Sequence, residues 1–156
     1  MKEIHGSATA HLDEPAHAIF DLITDVDRLP DWNSAIEAIG ERPAELTPGS
    51  EWLVVMHPPR MPRWRSRSRV EEIDRDAMRF AYETRNADGN PSYAKWNWEV
   101  VPTGAGATVT VRWDIYLITL DRKYFAGPLR QRQLAREVPR SLQAMAAELS
   151  RPTSPS

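Results

Sequence analysis

The sequence predicts an α+β fold, in which one curved antiparallel sheet of seven strands wraps around a long C-terminal helix and two short helices follow the first strand. Three observations carry this. From Gly49 to Leu120 apolar residues recur at every second position in segments separated by turn-forming residues, the pattern of consecutive antiparallel strands. The pairings that those turns impose bring the large apolar side chains of every segment to one face, which a one-residue slip would scramble. Over the last long segment Leu134, Val138, Leu142, Met145 and Leu149 recur at the helical period, so that this helix lays one side on a core.

Taken in order, residues 3–12 alternate, with Ile4, Gly6, Ala8, Ala10 and Leu12 on one side and His5, Ser7, Thr9 and His11 on the other, a half-buried strand. Asp13 is placed to cap a helix entering through Glu14 and Pro15, with Ile19, Phe20 and Ile23 on its buried stripe. The run DVDRLPDWN reads as a second short helix stopped by Pro30, and residues 34–39 as a short strand. The linker PPRMP joins strands 51–57 and 63–73, which sets Met56 opposite Trp64 and Trp52 opposite Ser68. A tight turn at 74–76 sets Val70 opposite Phe80 and Ser68 opposite Tyr82. The turn NADGNPS sets Tyr82 opposite Ala94 and Phe80 opposite Trp96; PTGAGA sets Trp98 opposite Val111 and Trp96 opposite Trp113. On the other face the same registers oppose Glu71 to Arg79, Arg67 to Glu83 and Lys95 to Asp114. The ladder Arg63, Arg65, Arg67, Arg69 is therefore a solvated outer face, since Glu71, Glu83, Glu99 and Asp114 interleave with it. The final helix opens at Gly127 and Pro128 and runs to Leu149; Pro139 interrupts it and should bend it, freeing the carbonyl of Ala135.

Composition narrows the class. A chain of 156 residues suits one domain, here expected over residues 2–150, with 151–156 a disordered tail that offers nothing apolar to bury. The absence of cysteine removes disulfides, thiolate metal sites and cysteine nucleophiles. Twenty basic against 22 acidic residues, a formal charge of −2, argue against nucleic acid as a partner. With no apolar leader segment and no long apolar run, the expectation is a cytoplasmic protein without a membrane span.

The segments PAHAIFDLITDVDRLPDWNSAIEAI and WNWEVVPTGAGATVTVRWDIY, together with the long final helix, resemble the SRPBCC superfamily, the START-domain and birch-pollen-allergen-like helix-grip fold, and within it the polyketide cyclase/dehydrase-like branch. The resemblance spans nearly the whole chain. It implies a hydrophobic cavity between the concave face of the sheet and the last helix, holding lipids, sterols, polyketides or plant-hormone-like molecules; some members are aromatase/cyclases. No catalytic motif of the aromatase/cyclases matches residue by residue, so none is carried over.

The residues themselves point to a cavity and to little chemistry. His5, His11 and His57 fall on the outer face and His17 has no partner at ligand spacing, so no metal site is expected. GAG at 104–106 joins two strands and opens no helix, so no phosphate loop is present and no cofactor is expected. Glu72 is turned inward by the register, near a hairpin end where water reaches it. Ser66 and Ser68 point inward among aromatics, without a base in reach. Trp52, Trp64, Phe80, Tyr82, Trp96, Trp98 and Trp113 share the inner face with Val54 and Met56, Trp32 stands at one mouth, and Leu134 and Val138 face them from the last helix. Rings with a few polar groups typify small-molecule sites. The function expected is binding of a small hydrophobic ligand, aromatic, polyketide-like or lipid, by these residues. The alternative is a polyketide cyclase/dehydratase acting in the same cavity, with Tyr82, Ser66 and Ser68 as its polar groups. A third reading, an interaction module or homodimer, rests on Leu53 and Val55, which the register leaves on the convex face.

Overall fold

In the computed structural model, which describes residues 1–119 and 127–151, the elements are β1 (Lys2–Leu12), α1 (Ala16–Thr24), a 3₁₀ turn (Val26–Arg28), α2 (Leu29–Trp32), β2 (Ile36–Ile39), β3 (Glu51–Met56), β4 (Trp64–Asp74), β5 (Arg79–Asn86), β6 (Tyr93–Thr103), β7 (Gly106–Leu117) and α3 (Gly127–Leu149). The seven strands form one antiparallel sheet in the order β1-β7-β6-β5-β4-β3-β2, which curls around α3 in the helix-grip arrangement. The expected disorder of the tail falls, from residue 152 on, outside the described residues.

The inner face of the sheet follows the alternation. Val70, Phe80, Trp98, Val100, Val109, Val111 and Trp113 are buried, and from α3 Leu134, Val138, Leu142 and Met145 are buried against them. Two hairpins have the expected registers: Met56 pairs with Trp64 and Trp52 with Ser68, and Trp98 pairs with Val111, Trp96 with Trp113 and Lys95 with Asp114. Two are displaced by two residues. Val70 pairs with Tyr82 and Ser68 with Thr84; Tyr82 pairs with Trp96 and Phe80 with Trp98. The cause lies at the β4–β5 end. The connection spans Arg75–Met78, with Asp74 Oδ1 accepting the amides of Asp76 and Ala77 at 3.1 and 2.9 Å and Met78 in the left-handed region at φ 55°, and a bulge lies between Val70 and Glu72. Because the displacement is even, the side chains of β5 and those of β4 up to Val70 keep their faces; beyond the bulge Ile73, paired with Phe80, replaces Glu72 on the inner face.

The outer-face pairs change with it. Arg69, not Arg67, opposes Glu83; Arg67 approaches Glu41 and Glu51, each at 3.6 Å. Glu71, at the bulge, pairs with Lys95 at 3.3 Å, and Glu72 is exposed beside Arg79 at 3.7 Å rather than turned inward.

Three local expectations are corrected. Asp13 caps no helix: Pro15 stands at the N-cap of α1 without a side-chain cap bond, its carbonyl accepting the amides of Ala18 and Ile19, while Asp13 approaches His11 at 3.4 Å. Pro30 opens α2 rather than stopping it, since its fixed φ suits a first turn and its missing N–H costs nothing there. Pro139 does not interrupt α3, which is continuous from Gly127 to Leu149. Its ring is on the exposed side, as is Ala135, whose carbonyl loses its donor where water can replace it, while buried Val138 and Leu142 hold the turn on the core.

The convex face also differs from expectation. Leu53 is only 8% exposed. The chain at Gly40–Glu41 runs alongside it, with the Gly40 amide donating to the Leu53 carbonyl at 2.8 Å and the Leu53 amide to the Glu41 carbonyl at 2.7 Å. With Val55 half-buried, no open apolar pair remains there to motivate a dimer.

Candidate functional site

Where the concave face stands off from α2 and the first half of α3, it encloses a cavity of about 370 Å³, within the range of small-molecule pockets. Of the residues expected to contact a ligand, Trp32, Trp52, Val54, Met56, Trp64, Ser66, Ser68, Tyr82, Trp96, Trp98, Leu134 and Val138 line this cavity. Phe80 and Trp113 do not. Phe80 is packed against Trp52 and Tyr82, with ring centroids at 6.0 and 5.0 Å. Trp113 lies over its cross-strand neighbour Gly6 on β1, where a Cβ would overlap the indole. Its ring is used to cover bare backbone rather than to face the cavity.

The polar groups of the sheet wall are mostly satisfied from within. Ser68 Oγ and Thr84 Oγ1 share a hydrogen bond at 2.9 Å, and Ser66 Oγ donates to the Arg85 carbonyl at 3.4 Å. Neither serine touches a base, as nucleophilic catalysis would require. Trp98 Nε1 donates to Tyr82 Oη at 3.2 Å, and the phenolic proton of Tyr82 has no acceptor among the described residues. Burial pushes the Tyr82 phenol up to about 12, against the opposing effect of the Trp98 hydrogen bond. Tyr82 is therefore neutral at physiological pH, able to donate a hydrogen bond but not to act as a base. Trp32 packs edge-on to Trp98, centroids 5.7 Å apart at 85°, and its buried Nε1 has no hydrogen-bond partner among the described residues.

The raised phenol has a measurable consequence. A group that holds its proton more tightly when folded favours folding below its unfolded value and loses that contribution as pH rises through the folded one. Stability should fall between pH 10 and about 12, and Tyr82→Phe should flatten that part of the curve. Urea midpoints across this range check it; an unchanged slope in the variant would remove Tyr82 as the cause.

Sequence reasoning missed the polar side of α3. Arg130, Glu137 and Ser141 line the cavity with Leu134 and Val138. The signal was present: these five positions lie on one helical stripe, but only its apolar members announce an inner-facing side. The Arg130 guanidinium stands 5.7 Å from the centroid of the Trp64 ring and donates to Gln133 Oε1 at 2.9 Å; Gln133 Nε2 in turn donates to Glu137 Oε1 at 3.0 Å. Among the described residues no group of three or more His, Cys, Asp or Glu side chains is placed to hold a metal, and no helix is long and apolar enough to cross a membrane.

Residues 3–150 match the family described as polyketide cyclase / dehydrase and lipid transport. No curated protein sequence is significantly similar to the chain. Among solved structures, the protein TTHA0849 of Thermus thermophilus superimposes with a TM-score of 0.73 at 16% identity, covering 94% of this chain and 97% of that one. The Zhui aromatase/cyclase of Streptomyces sp. R1128 gives 0.71 at 18% identity, over 96% and 95% of the two chains. Ara h 8.0201 gives 0.67 at 13% identity, over 95% and 98%. At these identities the likeness establishes a common fold.

Proposed function

The chain belongs to the polyketide cyclase/dehydrase and lipid transport family of the SRPBCC superfamily, a hydrophobic-ligand-binding helix-grip domain, and from that premise we propose that it reversibly binds a small apolar, ring-bearing or polyketide-like molecule without chemistry. One observation carries the reading: the cavity is walled by Trp32, Trp52, Trp64, Tyr82, Trp96 and Trp98, and neither inner-face serine is joined to a base. A flat ligand stacks on the indoles, and its oxygen accepts from Tyr82. Burial at about 25 cal/mol per Å² outweighs the cost of immobilising a two-ring ligand and supports micromolar affinity. Calorimetric titration with 2-naphthamide, a neutral probe, should show saturable binding; no heat, and no change in tryptophan emission, would end the proposal.

The enzyme reading has one specific support. Glu137 and Tyr82 line the same space, so a carboxylate and a neutral phenol could move protons on a folded polyketide chain. Turnover of a poly-β-keto thioester, lost in Tyr82→Phe, would favour it over simple binding.

A further inference from the structure

Arg130 is the one cation that lines the cavity among the described residues. It stands on the first turns of α3, half-buried, in a wall otherwise made largely of rings and aliphatic chains. A guanidinium carries five N–H donors in a rigid fork. Among the described residues it makes one hydrogen bond, to the neutral amide of Gln133, and no carboxylate lies within ion-pair distance. Glu137 does not neutralise it directly, because its Oε1 is taken by Gln133 Nε2 and the amide stands between the two charges. Asp88, the other carboxylate lining the cavity, belongs to the β5–β6 connection and accepts the Asn90 amide at 2.9 Å. The Trp64 ring lies beneath the guanidinium and holds its orientation.

A cation placed among apolar walls, with most of its donors unpaired among the described residues, is costly unless something completes it. We infer that Arg130 is a specificity determinant that reads a carboxylate: the ligand is an apolar acid, its body against the tryptophans and its carboxylate in the guanidinium fork. The inference rests on the binding function proposed above and names its ligand class. The bidentate match between a planar guanidinium and a carboxylate is what distinguishes this from general attraction of anions. Desolvation also lowers the Arg130 pKa from its ordinary value, with Glu137 opposing, an environment that an arriving carboxylate would relieve.

The test compares acids with their neutral amides on the purified protein: 2-naphthoate with 2-naphthamide for an aromatic body, and decanoate with decanamide for an acyl one. Wild type should bind at least one acid about tenfold tighter than its amide, and the pair that shows the larger gap identifies the body. Arg130→Gln should remove the preference while leaving amide affinity within about twofold, which also reports that the variant is folded. Arg130→Lys, which keeps the charge but not the fork, should lie between. Equal binding of acid and amide by wild type, or a preference that survives in Arg130→Gln, overturns the role of Arg130 and leaves the binding function standing. Failure of wild type to bind any of the four overturns both.

Discussion

Gly6→Ala is expected to destabilise the protein by about 3 kcal/mol, the cost of forcing volume into a filled site. The sign is the informative part, because glycine within a strand ordinarily costs about 0.5–1 kcal/mol relative to alanine. Here the added methyl would occupy the space of the Trp113 indole, overlapping its Cε2, Cζ2 and Nε1 atoms. The two residues are direct cross-strand partners on β1 and β7, so neither backbone can withdraw without breaking one of the two longest ladders of the sheet. Trp113 is buried and contacts Trp96, centroids 5.8 Å apart, so moving the indole aside disturbs packed neighbours. A double-mutant cycle checks the mechanism. Trp113→Ala alone should cost about 3–5 kcal/mol, but Gly6→Ala added to it should cost less than about 1 kcal/mol. If the two losses simply add, the overlap is not what makes Gly6 necessary.

The same pair shows what the sequence could and could not say. Alternation alone puts Gly6 on the inner side of its strand, but nothing local announces that β1 closes onto β7, more than a hundred residues away; that pairing removes Trp113 from the cavity wall. The β4–β5 hairpin failed for a different reason. A four-residue connection with Met78 in the left-handed region, and a bulge beside Glu71, leave no glycine or proline signature in this stretch, and the alternation tolerates any even shift. That tolerance is why the faces survived while the partners did not. Helix α3 was legible through its leucines and valine, but the charge it carries into the cavity was not: Arg130 and Glu137 look like surface residues until the stripe they share with Leu134 and Val138 is set against a sheet that curves away from it. Leu53 was misjudged because the segment at Gly40–Glu41, which runs alongside it, has no apolar pattern of its own.

The largest functional effect is expected at Trp96, and it should separate sharply from the effects at the four buried tryptophans. Trp32, Trp52, Trp98 and Trp113 are at most 5% exposed, so truncating any of them opens a void in packed structure. Trp98→Ala should cost about 3–5 kcal/mol, and in addition strip Tyr82 of the indole donor that anchors its hydroxyl. Trp96 is only half-buried although it sits at the middle of the sheet's inner face, and beside its contact with Trp113 it faces the cavity. On the binding function proposed above, a ligand supplies its missing contact. Trp96→Ala should therefore reduce affinity for 2-naphthamide by about tenfold, the loss of one stacking surface worth about 1.4 kcal/mol, while its urea midpoint moves less than half as far as that of Trp98→Ala. Calorimetry and denaturation on the two variants side by side decide the matter. Should Trp96→Ala unfold as readily as Trp98→Ala, or bind the probe as tightly as wild type, then the ring closes the core and the cavity has some other floor.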